Sequence, residues 1–189
     1  MTDRATFRRM GEGTQADYEA MREHAQREIR DEFPHRILRL LGEIDGISIG
    51  SEISRLDHSL QTATRAHRDG ADTETVMCAL LHDVAVPFAP FSHDVAAAEI
   101  LKPFVSERNH WVVAHHGIFQ GYYYFHHFGL DRNARDKYLG NPYYDDCVHF
   151  CAEWDEVSSD AAYPTEPIDF FAPMVLEFFS QPPRNYDGV

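Results

Sequence analysis

Apolar residues recur at intervals of three and four along most of this chain, which is the spacing of one face of an α-helix. Thr14 and Asp17 stand at the spacing of a capping box and begin a polar helix that is expected to reach about Asp31. Pro34 begins a second, shorter helix. Its apolar stripe consists of Ile37, Leu38, Leu40 and Leu41. Glycines then interrupt the pattern, so 45–51 is expected to be a loop, placed where it could act as a lid.

The middle of the chain predicts four further helices, each bounded by residues that favour helix ends. The helices are expected at 54–69, at 73–83, at 93–101 and from 107 to 116. The expected N-caps are Asp72 or Thr73 for the second of these helices, Ser92 for the third and Ser106 for the fourth. The expected stops are Gly70, Pro103 and Gly117. Two prolines within 86–91 exclude a helix there.

The last third of the chain is rich in aromatic residues but keeps the helical spacing. An aromatic cluster covers 119–129, and a short charged helix is expected at 131–139. Asn141-Pro142 begins a helix that holds Phe150, Trp154 and Asp155, and a final helix covers 169–180. Because no segment alternates between apolar and polar residues and no linker is visible, the pattern predicts a single all-α domain.

Composition and charge exclude some classes of function but add little to the prediction of the fold. The 189 residues carry a formal net charge of −14, which argues against a nucleic-acid or anionic-membrane partner. A small anionic substrate is still compatible, since bound cations can dominate one pocket. The beginning of the chain lacks the apolar run of a signal peptide, and no run of 18 apolar residues is present. Three cysteines do not form a disulfide framework, so we expect a cytoplasmic protein.

Histidines and carboxylates at the ends of separate predicted helices are the strongest chemical signal. They are His58, His82, Asp83, His93, His116 and Asp155. Taken singly, each histidine is more often an ordinary core or surface residue, but together they favour a metal site in a helical bundle. Imidazoles and carboxylates without thiolates suit Fe, Mn, Co or Zn, and six donors are too many for one four-coordinate zinc.

The six donors are therefore interpreted as a site for two ions that share the Asp83 carboxylate. One ion would be bound by His58, His82 and Asp155, and the other by His93 and His116. His115 is an alternative to His116, and the sequence does not separate them.

These motifs resemble a known superfamily. The segment 56–63, the run Ala79-Leu80-Leu81-His82-Asp83 and the triplet Trp154-Asp155-Glu156 resemble the HD-domain superfamily, and within it the mixed-valent diiron oxygenases. That branch includes oxygenases that cleave organophosphonates and is related to myo-inositol oxygenase. The resemblance covers about 50–158. It implies an HD-domain helical bundle at 46–181, with an N-terminal helical extension at 1–45 and a tail at 182–189.

The resemblance implies two iron ions, Fe(II) and Fe(III), with O₂ and a small molecule as partners, and Mn, Co or Zn as alternative metals. The implied reaction is cleavage of the C–P bond of a 1-hydroxy-2-(trimethylammonio)ethylphosphonate. Two alternatives remain: a metal-dependent phosphohydrolase that acts on a phosphomonoester or nucleotide, and a binding module without catalysis. The chain departs from the related primary-amine phosphonate oxygenase at Ser48, Val86 and Gln120, so the substrate or the lid must differ.

The substrate is expected to contact the aromatic cluster and the charged helix that follows it. The candidate residues are Gln120, Tyr122, Tyr123, Tyr124, Arg132 and Arg135. The tyrosines, with Phe125 and Phe128, could form a cage for a quaternary ammonium group, or they could simply pack between helices. The arginines could bind a phosphonate, or they could lie on a solvated helix face.

Overall fold

The computed structural model describes residues 7–48 and 50–184, and the regular secondary structure in this part of the chain is helical. The α-helices are α1 (Gln15–Asp31), α2 (Phe33–Glu43), α3 (Arg55–Arg68), α4 (Thr73–Leu81), α5 (His93–Leu101), α6 (Glu107–Tyr124), α7 (Tyr144–His149) and α8 (Ile168–Ser180). Within the described residues the only β-type pairing is an isolated bridge between Ser48 and Ser54. The prediction of an all-α fold is confirmed. Residues 1–6 of the predicted extension, Ile49 of the predicted loop and 185–189 of the predicted tail lie outside the described residues.

Side-chain caps fix the beginnings of most helices where the sequence placed them. Thr14 and Ser54 each form a complete capping box, and Asp72 and Ser106 each accept a backbone N–H of the first turn. Ser92 makes no such bond, so its prediction as a side-chain cap is wrong. Its φ of −153° and ψ of 32° lie outside the extended region from which a cap hydroxyl reaches the first turn.

The core lies where the helices pack in pairs, α3 against α4, α5 against α6, and α2 against α8. Helix α4 is buried along its whole length from Thr75 onward, which explains why its sequence is apolar on every side. Helix α1, by contrast, buries none of its side chains and lies against α2 and α8. The apolar helix α4 therefore delivers its last residues directly into the centre of the bundle.

Helix α6 continues past Gly117 to Tyr124, so the prediction that Gly117 ends the helix is wrong. Two glycines one turn apart, Gly117 and Gly121, instead allow close packing. A Cβ atom on Gly117 would lie 2.9 Å from Asp94 Oδ2 on α5, and one on Gly121 would overlap the ring of Phe125. Inside a helix, glycine costs stability but lets neighbouring groups approach the backbone.

We expect Gly121→Ala to lower the free energy of unfolding by about 1–3 kcal/mol, because the added methyl group must displace the half-buried Phe125 ring that packs on Gly121. Gly42→Ala is the matched control. Gly42 lies in α2 with no atom within 4 Å of its added Cβ, so this change should stabilise the protein by about 0.5–1 kcal/mol. Denaturant unfolding of both variants measures the difference. Equal stabilisation by the two changes would contradict the packing role of Gly121.

The segment 131–155 also differs from the prediction. The charged helix is a 3₁₀ segment, Ala134–Tyr138. The helix expected from Asn141 begins at Tyr144 and changes at Phe150 into a π-helical turn, Phe150–Asp155, marked by the bond from Glu156 N to Cys151 O. A π turn holds one more residue than an α turn and rotates the residues after it, and such turns are frequent at functional sites. Here the turn ends at Asp155.

Among the described residues, no helix combines the length and the hydrophobicity needed to cross a bilayer.

Candidate metal centre

Six side chains from five structural elements converge at one place in the bundle. They are His58 in the first turn of α3, His82 and Asp83 immediately after α4, His93 at the start of α5, His116 in α6 and Asp155 at the end of the π turn. Five of the six are buried, and His93 keeps 27% of its side chain exposed. The open side of the cluster is therefore the side of His93.

The two oxygens of Asp83 face two different pairs of imidazoles. Oδ1 lies 3.1 Å from His93 Nε2 and 3.5 Å from His116 Nε2. Oδ2 lies 3.6 Å from His58 Nε2 and 3.5 Å from His82 Nε2. A carboxylate placed in this way can bridge two ions, with one oxygen directed to each.

Asp155 completes the group on the Oδ2 side. Its Oδ1 lies 3.1 Å from His58 Nε2 and 3.6 Å from His82 Nε2. Two sets of donors have all their ligand atoms within 4.8 Å of one another among the described residues. The sets are His58, His82 and Asp155, and His82, Asp83 and His116. The first set coincides with the donors assigned to one ion from the sequence. The second contains His82 where the sequence assigned His93. His93 instead lies with Nε2 3.1 Å from Asp83 Oδ1 and with its ring edge to face against His116.

Backbone carbonyls fix the orientation of three of the imidazoles. The Nδ1 atoms of His58, His82 and His116 each lie 2.7 Å from a carbonyl oxygen, of Ser158, Ala79 and Val113 respectively. A carbonyl can only accept a hydrogen bond, so Nδ1 carries the proton. In the neutral ring, Nε2 then presents a lone pair, as a metal-ligating histidine requires.

These lone pairs and the carboxylates fit a bound cation. His58 Nε2 and His82 Nε2 lie only 3.1 Å apart, and in the neutral rings neither carries a proton to place between them. Asp83 Oδ1 and Asp155 Oδ2 are buried side-chain oxygens without a hydrogen-bond partner among the described residues. Buried charges without partners are costly, and a cation between these atoms would satisfy them. The donor set, imidazole with carboxylate, suits Fe, Mn, Co or Zn.

The charges within the cluster shift its pKa values in opposite directions. Burial lowers the pKa of His116, but the negative Asp83 carboxylate, whose Oδ1 faces His116 Nε2 at 3.5 Å, outweighs it and raises that pKa to about 9. Burial also opposes the charged form of His58, yet Asp155 raises its pKa overall. Burial favours the neutral forms of Asp83 and Asp155, whereas the neighbouring imidazoles, His82 first, lower both pKa values. Protons must therefore leave the cluster when a metal binds.

We expect protein freed of metal by a chelator to lose stability as the pH rises from 6.5 to about 9. A histidine whose pKa is raised by folding stabilises the folded protein fully when the pH is below its pKa in the unfolded state. This stabilisation is lost as the pH rises through its pKa in the folded state. For His116 the loss is on the order of 3 kcal/mol. Asp83 and Asp155 stay ionised throughout this interval and do not add to the change. Urea unfolding at several pH values measures it, and a rise in stability would contradict the assigned charge pattern.

His115, the alternative to His116, points away from the cluster. Its Nδ1 donates to the carbonyl oxygen of Trp111 at 2.8 Å, and its ring stacks on Trp111 with centroids 4.2 Å apart. The ring also contacts Tyr138 edge to face. The geometry therefore brings His116 to Asp83 and leaves His115 among aromatic side chains.

The predicted substrate residues divide into two groups. Gln120 and Tyr124 follow His116 by one and two turns along α6, and burial, with the negative charges of Asp155 and Asp83, raises the pKa of Tyr124. Tyr122 lies elsewhere: the guanidinium groups of Arg132 and Arg135 lie 4.2 and 3.9 Å from its ring centroid. Tyr123 packs against the core. Substrate contact by any of these residues stays a prediction.

Arg55 also contacts the cluster, although the sequence pattern of histidines and carboxylates did not indicate it. Its Nη1 lies 2.5 Å from Asp83 Oδ2, the oxygen that also faces His58 and His82. Arg55 precedes His58 by three residues on α3, and this spacing places both on one face of the helix. The spacing was therefore a signal that could have identified Arg55.

Comparison with protein families matches the chain to the family described as HD domain over residues 55–160. The match covers more than half of the chain and contains all six candidate ligands. A comparison with curated proteins found no match.

Proposed function

Because this chain belongs to the HD domain family, we propose that it is a two-metal enzyme of the diiron oxygenase branch. The proposed reaction is oxidative cleavage of a small hydroxylated acid, with the C–P bond of a 1-hydroxy-2-(trimethylammonio)ethylphosphonate as the preferred target. The proposed cofactor is an Fe(II)/Fe(III) pair, and O₂ is the second substrate.

The observation that carries this proposal is the position of Asp83 between two pairs of imidazoles. A single ion on the Oδ2 side would leave Oδ1, and the His93 and His116 imidazoles that face it, without a cation. His93 and His116 supply the second position and offer few protein ligands, so that position would keep coordination sites open for the substrate. Two oxygen atoms of the substrate, one from the hydroxyl and one from the acid group, fit such a position.

The iron pair would supply activation of dioxygen and Lewis-acid binding of the substrate oxygens. The residues of this chain would fix the pair and exclude water. The carbonyl-bound imidazoles of His58, His82 and His116 hold their ring orientation without help from solvent. Phe150 packs against the rings of His82 and His116 and covers their inner side, so substrate would approach from the side of His93.

The ammonium end of the proposed substrate would contact a smaller aromatic group than the sequence suggested. Tyr122 already has two guanidinium groups over its ring, so it contributes little to a further cation. Tyr124 and Phe128 are the exposed rings of the expected cage, with centroids 6.1 Å apart in an edge-to-face arrangement and 44% and 73% of their surfaces exposed. A quaternary ammonium near these two rings would gain about 0.5–2 kcal/mol per good contact.

Metal analysis and low-temperature EPR of aerobically purified protein test the proposal. We expect two iron ions per chain, a mixed-valent signal that changes when the hydroxyphosphonate is added, and O₂ consumption with phosphate release. Iron binding without O₂ consumption for any hydroxylated phosphonate or polyol would contradict the oxygenase proposal.

The second candidate is an HD-type phosphohydrolase, in which the two ions activate water for attack on a phosphomonoester or nucleotide. The observation that favours it is the difference from the amine-phosphonate oxygenase at Ser48, Val86 and Gln120. Val86 and Gln120 lie next to the cluster along the chain and carry neither the imidazole nor the ammonium group of that enzyme. Anaerobic turnover of a phosphomonoester with Mn²⁺ or Co²⁺ would favour this reaction over the oxygenase.

A further inference from the structure

Arg55 lies against the cluster but outside the set of candidate ligands. It is the first residue of α3, and its backbone N–H donates to the carbonyl oxygen of Ile47 at 2.8 Å. From there the side chain reaches Asp83, and 24% of it is exposed. The Arg55 side chain therefore reaches the cluster while part of it stays in contact with solvent.

The guanidinium group has unused hydrogen-bonding capacity. Nη1 donates to Asp83 Oδ2, whereas Nε is buried and has no hydrogen-bond partner in the described part of the chain. A buried N–H of a charged group without a partner is costly, and native proteins rarely keep one without a purpose. Because a guanidinium binds carboxylate and phosphate groups in a two-point fashion, a ligand oxyanion is the partner that this donor suits.

The net charge of the cluster with both metal ions bound also favours an anionic ligand. The proposed Fe(II)/Fe(III) pair carries five positive charges and exceeds the Asp83 and Asp155 carboxylates by three units, and Arg55 adds a fourth excess positive charge beside them. Excess positive charge in a largely buried site favours an anion and disfavours further cations. Arg55 should therefore weaken metal binding while it strengthens anion binding.

We propose that Arg55 binds the acid group of the substrate, a tetrahedral oxyanion such as a phosphonate or phosphate, at a cost in metal affinity. This inference rests on the two-metal function proposed above and names a residue that selects the substrate class. Arg55 keeps one nitrogen on Asp83 and directs the remaining donors to the acid group, so it positions that group relative to the bridging carboxylate.

The test uses Arg55→Gln and Arg55→Lys, with Arg68→Gln as the charge-matched control. Arg68 lies on the same helix but pairs with Glu166 on the surface. Titration calorimetry of the metal-loaded proteins with inorganic phosphate measures anion binding, and competition with a chelator measures metal binding. Neither measurement needs turnover.

We expect Arg55→Gln to weaken phosphate binding at least about tenfold and to tighten metal binding about two- to tenfold. Arg55→Lys keeps the charge but loses the two-point geometry, so it should weaken phosphate binding less and leave metal binding near that of the parent. Arg68→Gln should change neither. Tighter metal binding together with weaker phosphate binding in Arg55→Gln would identify the proposed role. If Arg55 only supported the local structure, the change would weaken the binding of both metal and phosphate.

Unchanged phosphate affinity in Arg55→Gln with both ions bound would overturn the inference and leave the proposed function standing. Weaker metal binding in Arg55→Gln would also overturn it, since Arg55 would then support Asp83 instead of competing with the ions. Failure of the unaltered protein to bind two ions would remove the proposed function and the inference together.

Discussion

Replacing Asp83 with asparagine is expected to reduce the metal content from two ions per chain to fewer than one. The change keeps the shape of the side chain but removes the charge that lies between the two imidazole pairs. An amide also offers one acceptor oxygen instead of two, so it cannot bridge two ions. Activity should fall by more than about 100-fold, the upper end of the effect of losing a residue that merely supports a ligand. Plasma emission analysis of the purified variant measures the metal content directly.

The control for this variant is Asp145→Asn, which removes an exposed carboxylate from the first turn of α7. It should retain both ions. Circular dichroism of both variants shows whether the helical fold is intact, so that loss of metal can be separated from loss of structure. Retention of two ions by Asp83→Asn would show that the carboxylate does not bridge.

Replacing His116 with alanine is expected to remove one ion and leave the other. His116 Nε2 faces Asp83 Oδ1, whereas His58, His82 and Asp155 form a compact group on the opposite side and do not depend on it. Affinity at the His116 position should fall by more than about 100-fold, since a direct ligand is lost. A single ion cannot be mixed-valent, so the EPR signal of the coupled pair should disappear while about one ion per chain remains.

The neighbouring His115→Ala is the matched control for this prediction. His115 donates to the Trp111 carbonyl and stacks on the Trp111 ring, so its loss should reduce stability without changing the metal content. An ion lost from His115→Ala and retained in His116→Ala would reverse the assignment of the two histidines.

Much of the helical fold was predictable because its signals are local. The capping boxes at Thr14 and Ser54 and the caps at Asp72 and Ser106 are decided by residues within one turn of each other. Gly117 failed as a stop signal because its role depends on Asp94, which approaches from another helix. The sequence pattern contains no information about that approach.

The donor set was predictable as a set of residue types, and the geometry brings all six side chains together. It was harder to predict which donors lie on each side of the Asp83 carboxylate. His82 belongs to both compact groups, because the rotation at the end of α4 directs its ring between His58 and His116. The π turn that delivers Asp155 depends on packing against α3 and α6 and has no signature in the local sequence. That these residues bind metal stays a prediction.

Three of the imidazoles take their orientation from carbonyl oxygens, and this has a consequence for how the protein can change. Main-chain atoms survive any point mutation, so the anchors of His58, His82 and His116 are independent of the identities of Ser158, Ala79 and Val113. Residues around the cluster can thus be replaced without changing the orientation of these three imidazoles. Such an arrangement lets substrate preference drift across a lineage while the inorganic chemistry is inherited intact.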